Sequence, residues 1–290
     1  MLRIVMNALR TGVVTTRYPA EPSVPPDRFR GAPVLRPGSR LPPPAVCPAG
    51  ALSERVDAGG SHVALDLARC VFCGRCAEDP WAGAITMGRE FELAARSRAD
   101  LRIEVVAEEP TSGGTNRPSD SHAEADGVSS EIRRVLGRSL HLRHLDAGSC
   151  NACDWEIAAL LNPVYDVRRL GIDFVASPRH ADGVVVTGSV TRNLETAVRR
   201  TFEAVPDPRI VIAVGACAAS GGIVGEGYAS AGGIDRVLPV DVYIPGCPPR
   251  PEAIIFGILV AIGRLDARRV SQWHNPSILD ARSPRTMPRK

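Results

Sequence analysis

The sequence lacks the features of several classes of protein. Its longest uninterrupted apolar stretch, residues 253–263, is about half of the roughly 20 residues that a membrane-spanning helix needs. The net charge is only +3, and no basic stripe indicates nucleic-acid binding. The chain has neither a G-x-G-x-x-G motif nor a P-loop lysine, which argues against a nucleotide site. Residues 1–16 lack the apolar core of a secretory signal, so we expect a cytoplasmic protein.

Composition divides the 290 residues into unequal parts. Residues 107–131 contain almost no large apolar side chain, which is typical of a flexible linker. Residues 17–50 are rich in proline and arginine and indicate an extended arm. The sequence therefore predicts a first domain at 1–106, which includes this arm, a linker at 107–138, a second domain at 139–270 and a tail at 271–290.

Hydrophobic periodicity in the second domain indicates an α/β fold. Short apolar runs typical of buried strands occur at residues 172–176, 183–187, 209–214 and 240–244. Helical periodicity occurs at residues 155–161, 194–205 and 252–265. Because β-branched runs alternate with helices, we predict a parallel sheet covered on both faces.

All eight cysteines fall into two sets of four. Disulfides are rare in the cytoplasm, so the cysteines need another explanation. The first set is Cys47, Cys70, Cys73 and Cys76. Its last three members are spaced as in the C-x2-C-x2-C-x3-C-P run of bacterial ferredoxins, whose final cysteine ligates the other cluster of a pair. Cys47, which precedes a proline, resembles such a final cysteine.

The companion ligands of that run are missing as a group. The spacing would place them at four positions that carry other residues, namely Pro37, Arg40, Pro43 and Pro80. The four missing cysteines would have built one cluster, and the four that remain would build the other. We therefore predict one 4Fe-4S cluster in the first domain, with a structural zinc or an empty site as the alternatives.

The second set consists of Cys150, Cys153, Cys217 and Cys247. Cys217 and Cys247 each follow a predicted strand within a few residues, and the other two precede the first helix of the domain. The carboxyl ends of parallel strands meet at one edge of the sheet, where such sheets place ligands. Nearby glycines would let the backbone approach an inorganic core. We predict a second 4Fe-4S cluster; the cysteine spacing alone also allows zinc, which the strand-end placement disfavours.

Several stretches resemble known redox subunits. The sequences SCNAC (149–153), TGSVTR (187–192), GACAASGG (215–222) and VDVYIPGCPPRPEA (240–253) are similar to the small subunit of membrane-bound, group 4 NiFe-hydrogenases. The similarity is strongest to formate hydrogenlyase and hydrogenase-4, whose small subunits are homologous to a cluster-carrying subunit of respiratory complex I. It covers about residues 139–266. Cysteines two residues apart, rather than adjacent, favour the hydrogenase branch over complex I.

A separate resemblance covers residues 1–98. RYPAEPSVPPDRFRG (17–31), CVFCGRC (70–76) and EFELA (90–94) resemble the ferredoxin-like subunit of the same complexes, which normally carries two clusters where this sequence allows one. The chain thus resembles a fusion of two subunits. The resemblance implies a small α+β ferredoxin-like iron–sulfur domain followed by a flavodoxin-like parallel-sheet domain.

The resemblance also implies a function. The chain would be the electron-transfer subunit of an oxidoreductase complex and would relay electrons through two 4Fe-4S clusters. The catalytic NiFe site would lie in a partner large subunit, and the second set of cysteines would hold the cluster nearest to it. Membrane subunits would be further partners, at the cytoplasmic face of the inner membrane. The alternatives are a component of a complex I-like quinone oxidoreductase and a non-redox scaffold stabilised by zinc.

Three further features have two interpretations each. Glu156, near the start of a predicted helix, would tune the cluster or relay protons, or would be an ordinary carboxylate at a helix N-terminus. His141 and His144 are expected on a solvent-facing surface, because four cysteines already suffice as ligands. Residues 1–16 would form an amphipathic segment that docks on a membrane partner, or a plain arm.

Overall fold

The computed structural model describes residues 2–36, 41–57, 60–80, 83–106 and 139–267. The predicted linker at 107–138 and the predicted tail at 271–290 lie outside these residues. The α-helices are α1 (Leu2–Thr11), α2 (Ala152–Ala159), α3 (Arg192–Glu203), α4 (Gly215–Ser220) and α5 (Pro251–Ala261). The strands are β1 (Pro33–Leu35), β2 (Leu52–Asp57), β3 (Gly60–Asp66), β4 (Ile85–Met87), β5 (Arg102–Val106), β6 (Leu140–Asp146), β7 (Ile172–Phe174), β8 (Gly183–Thr187), β9 (Ile210–Val214) and β10 (Val242–Ile244).

The second domain is built on a parallel sheet of five strands in the order β10-β9-β8-β6-β7. Every residue of β8, β9 and β10 is buried, because both faces of the sheet are covered. Helix α5 is also buried along its whole length and packs on β9 and β10. The predicted parallel α/β sheet is therefore confirmed, and none of the described helices is long and apolar enough to cross a membrane.

The sequence predicted four of the five strands and missed β6. Its side chains alternate between apolar and polar over the first residues, and His141, Arg143 and His144 interrupt the apolar pattern. Helix α4 was also missed, because six residues are too few to display helical periodicity.

The first domain contains two small antiparallel sheets. One has the order β2-β3-β5, and the other pairs β1 with β4. Within the described part of residues 12–106 there is no α-helix, only short 3-10 turns. The α+β character predicted for this domain therefore depends on α1 alone, and its ferredoxin-like fold stays a prediction.

The described parts of the two predicted domains pack against each other. Leu65 and Ile85 belong to the same hydrophobic cluster as Val186 and Tyr243. Ala95 and Tyr243 exchange two backbone hydrogen bonds of 3.0 and 2.8 Å. The two parts therefore share one apolar core in addition to any connection through the chain.

Candidate metal centres

The four cysteines of the first set line one cavity. Cys47 follows the 3-10 turn Pro44–Val46, and the other three lie on the loop after β3. This loop turns back on itself through two left-handed residues, Phe72 (φ 53°) and Gly74 (φ 82°). The structure thus brings together all four residues that the spacing singled out, although they come from segments more than 20 residues apart in the sequence.

Backbone groups are directed at two of these sulfurs. The N–H of Ala51 donates to Cys47 Sγ at 3.2 Å, and the N–H of Phe72 donates to Cys70 Sγ at 3.4 Å. Hydrogen bonds to cysteine sulfur are one of the means by which proteins set the reduction potential of an iron–sulfur cluster. The loop therefore offers both the ligands and the amide donors that such a cluster uses.

Two thiols of the first set, Cys70 and Cys76, resist ionisation in the absence of a cation. The pKa of Cys70 is raised to about 12 and that of Cys76 to about 11, chiefly by burial and in part by like-charge repulsion from neighbouring thiolates of the set. Metal ligation requires thiolates, so a cationic iron core would relieve this repulsion. All eight cysteines are free of disulfides, and a donor set of four soft sulfurs fits an iron–sulfur cluster.

The four cysteines of the second set converge at the carboxyl edge of the parallel sheet. Cys150 and Cys153 lie on the loop after β6 and on α2, Cys217 lies on α4 directly after β9, and Cys247 lies in the loop after β10. Burial raises the pKa of Cys153 above its usual range, and charge on each of the other three raises it further. These thiols therefore interact electrostatically as one group.

Two glycines make room for the second set. A Cβ at Gly215 (φ +88°) would lie 2.6 Å from Cys153 Sγ, and a Cβ at Gly222 (φ +56°) would lie 2.9 Å from Cys217 Sγ. Both distances are shorter than real Cβ contacts, so any side chain would displace a sulfur. Both glycines also adopt left-handed backbone that other residues disfavour. These glycines approach the cysteine sulfurs closely, and the approach to an inorganic core that the sequence predicts stays a prediction.

The edge that carries the second set is partly open. Cys150 and Cys247 are exposed, and the neighbouring Trp155 on α2 has 75% of its surface accessible. Large exposed aromatic side chains are typical of surfaces that bind another protein. Within this chain the edge of the sheet is therefore not closed off from solvent.

A polar network that the sequence did not predict fixes the start of α2. Asp154 accepts a hydrogen bond of 2.6 Å from Thr187 Oγ1 and one from Ser149 Oγ, and lies 2.8 Å from His144 Nε2. Burial lowers the pKa of His144, although Asp154 opposes the shift. The network joins the end of β8 to the residue after Cys153, so it holds that cysteine in place. Its contacts depend on the pairing of β6 with β8, which no local sequence pattern specifies.

The histidines and Glu156 occupy different surroundings. His141, on β6, is 44% exposed at its side chain and His144 is 27% exposed, so only the first is close to the solvent-facing placement expected. Burial raises the pKa of Glu156, and the nearby carboxylate of Glu252 adds to the shift while Arg250 opposes it. The charges of Glu252 and Arg250 therefore act on half-buried Glu156, and its role as a tuning or proton-relay residue stays a prediction.

The two sets of cysteines lie close to each other. Ser220, three residues after Cys217, donates a 2.9 Å hydrogen bond to the carbonyl of Ala68, two residues before Cys70. The pKa of Cys247 is raised by burial, then by Cys150, and also by Cys73 of the first set. Among the described residues, no three Cys, His or acidic side chains are arranged to hold a single metal ion.

The sequence of the second domain places it in a class of oxidoreductase-complex subunits. Residues 150–261 match the family described as NADH ubiquinone oxidoreductase, 20 Kd subunit, and the chain belongs to this family. The family resemblance inferred from the sequence motifs is therefore confirmed.

Three relatives illustrate the match. The chain is 47% identical over 135 residues to a probable membrane-bound hydrogenase subunit of Pyrococcus furiosus. This alignment covers 47% of this chain and 81% of the relative. It is 44% identical over 141 residues to formate hydrogenlyase subunit 7 of Escherichia coli, covering 49% of this chain and 55% of the relative. It is 44% identical over 119 residues to a subunit of the NADH-quinone oxidoreductase of Geotalea daltonii, covering 41% of this chain and 69% of the relative.

Proposed function

We propose that the chain is an electron-transfer subunit that binds two 4Fe-4S clusters. Cys47, Cys70, Cys73 and Cys76 would hold one cluster, and Cys150, Cys153, Cys217 and Cys247 would hold the other. The observation that carries the proposal is the convergence of each set on one place, with all eight thiols free. When bound, such a cluster takes up or gives back one electron at a time.

The packing of the two parts supports a relay within one chain. The Ser220–Ala68 hydrogen bond and the shared apolar core hold the loops of the two sets against each other. A fixed, short separation favours electron transfer between redox centres, because the rate falls steeply with distance. The residues therefore supply a rigid link that does not depend on the predicted linker at 107–138.

The partner that we propose is a hydrogenase-type large subunit, which would supply the NiFe site. Exposed Cys150, Cys247 and Trp155 mark the face that it would cover. The relatives named as hydrogenase and hydrogenlyase subunits, together with the two-residue spacing between Cys150 and Cys153, favour this partner. The relative from an NADH-quinone oxidoreductase keeps a quinone-reducing complex as the second candidate.

We further propose that the complex is attached to the inner membrane at its cytoplasmic face through membrane subunits. The name of the Pyrococcus furiosus relative describes it as membrane-bound. This chain would then contribute a peripheral subunit.

Metal and sulfide analysis of the anaerobically purified protein tests the proposal. Two cubane clusters predict about 8 iron and about 8 acid-labile sulfide per chain, with little zinc. Zinc in place of iron would support the scaffold instead, and about 4 iron would mean that one set is not loaded.

Co-purification distinguishes the two redox candidates. An affinity tag on this chain should retain a large subunit with two C-x2-C pairs, and the complex should contain nickel and evolve hydrogen. A large subunit without those cysteine pairs, in a complex that reduces quinone, would favour the second candidate.

A further inference from the structure

We infer that helix α1 binds the surface of an anionic lipid bilayer. The inference deepens the peripheral attachment proposed above and rests on it. Helix α1 (Leu2–Thr11) is amphipathic, with the single apolar residue Ile4 on the side that carries its polar residues. Val5, Met6 and Leu9 lie on one face at helical spacing, and Arg3, Asn7 and Arg10 lie on another.

The apolar face of α1 is open. Val5 and Met6 are 54% and 52% exposed, and Leu9 is 76% exposed. Val13, just beyond the helix, is 91% exposed. Isolated exposed apolar residues are ordinary, but several on one short segment indicate a surface that another phase or molecule covers.

The charge of this segment identifies the occupant. Both charged side chains of α1, Arg3 and Arg10, are positive, and residues 1–20 contain no aspartate or glutamate. A strongly amphipathic helix of low mean hydropathy with a cationic polar face is the pattern of helices that lie in the bilayer interface. Anionic headgroups complement this charge. A helix that docks in a groove on another protein would not need a polar face on which every charge is positive.

The segment that follows the helix is anchored to the body of the protein. Thr15 Oγ1 donates to the carbonyl of Pro163 at 2.7 Å, and the N–H of Thr16 donates to the carbonyl of Val164 at 2.8 Å. Leu161 and Val164, on the same loop, are 42% and 40% exposed. The anchor therefore places α1 within a few residues of further exposed apolar side chains, which would rest on the same bilayer.

Flotation of the full-length protein with lipid vesicles tests the inference. Vesicles of phosphatidylcholine mixed with phosphatidylglycerol should bind the chain, and vesicles of phosphatidylcholine alone should bind it more weakly. Leu9→Asp should weaken binding at least about tenfold more than Asn7→Asp, because only the first removes apolar area along with adding the same charge. Arg3→Gln combined with Arg10→Gln should weaken binding to the anionic vesicles by about tenfold or more.

Three outcomes would overturn the inference. In the first, the Leu9→Asp protein binds vesicles as tightly as the Asn7→Asp protein. In the second, anionic lipid makes no difference to vesicle binding. In the third, the unchanged protein does not bind vesicles and Leu9→Asp releases a protein partner. The last result would mean that α1 docks on a protein. Iron content is measured on every variant. A chain that binds lipid but holds no clusters would contradict the proposed function only. A chain that holds its clusters but does not bind lipid would contradict this inference only.

Discussion

Replacing Gly215 by alanine tests whether the backbone around the second set is shaped for a cluster. The new Cβ would lie 2.6 Å from Cys153 Sγ, about 0.8 Å inside the 3.4 Å at which ordinary contacts begin. A metal–sulfur bond is only about 2.3 Å long, so a shift of that size moves the sulfur out of bonding position. The left-handed backbone at φ +88° adds strain. We expect a loss of about 2–5 kcal/mol of stability from strain and overpacking together.

Gly225→Ala is the matched control. Gly225 also has a left-handed backbone, at φ +67°, but a Cβ there would meet nothing within 4 Å. It should therefore lose only the strain, about 1–2 kcal/mol, and keep both clusters.

Anaerobic EPR spectroscopy and iron analysis measure the outcome of this comparison. Gly215→Ala should lose the signal of the second cluster, keep that of the first, and fall from about 8 to about 4 iron per chain. A Gly215→Ala protein with both signals and the stability of the Gly225→Ala control would refute the argument that this glycine makes room for a cluster ligand.

The remaining predictions address the two sets and the charges around them. Cys73→Ser should remove one EPR signal and leave the other, and Cys217→Ser should do the reverse; loss of both signals from a folded variant would contradict two separate sites. Glu252→Ala should cost about 3 kcal/mol in urea unfolding, because it strands the Arg250 guanidinium that Glu252 pairs at 2.6 Å in a buried site; an unchanged midpoint would refute this. Because burial lowers the pKa of His144, protonation favours the unfolded chain, so stability should fall as the pH drops below about 6.5. His144→Gln should remove that part of the pH dependence.

The sequence predicted the core of the fold where burial is uniform. Strand β8 was predicted with the bounds that the structure has, Gly183–Thr187, because a strand buried on both faces is an uninterrupted apolar run. Strand β6 was missed, although it pairs with both β7 and β8. His141 Nδ1 lies 3.5 Å from a carboxylate oxygen of Asp182, and His144 Nε2 lies 2.8 Å from one of Asp154. These side-chain contacts place polar residues where a strand buried on both faces would be continuously apolar.

The site was predictable only as far as cysteine chemistry dictates spacing. Three thiols two residues apart, or a cysteine after a strand, follow from the need to surround an inorganic core. The contacts that join the two sets have no such local signature. Ser220 and Ala68 are 152 residues apart in the sequence, and their hydrogen bond depends on the packing of one part against the other. The Asp154 network likewise joins three segments of the chain.

A ferredoxin-type sequence would carry two sets of four cysteines, and here only the first set (Cys47, Cys70, Cys73 and Cys76) is present. Its position in the structure suggests why this set is the one that remains. Two of the four positions where the absent set would stand, Pro43 and Pro80, are described, and both are exposed. In the complete set, Cys73 is close enough to Cys247 to raise the pKa of that thiol. If the cysteines of the first set only stabilised the first domain through zinc, the nearness of Cys73 to Cys247 would serve no purpose. The proposed relay would use it, because electron transfer between two clusters requires them to lie near each other. The retained set is thus the one that the proposed relay would use, and its nearness to the second set favours the relay over the zinc scaffold.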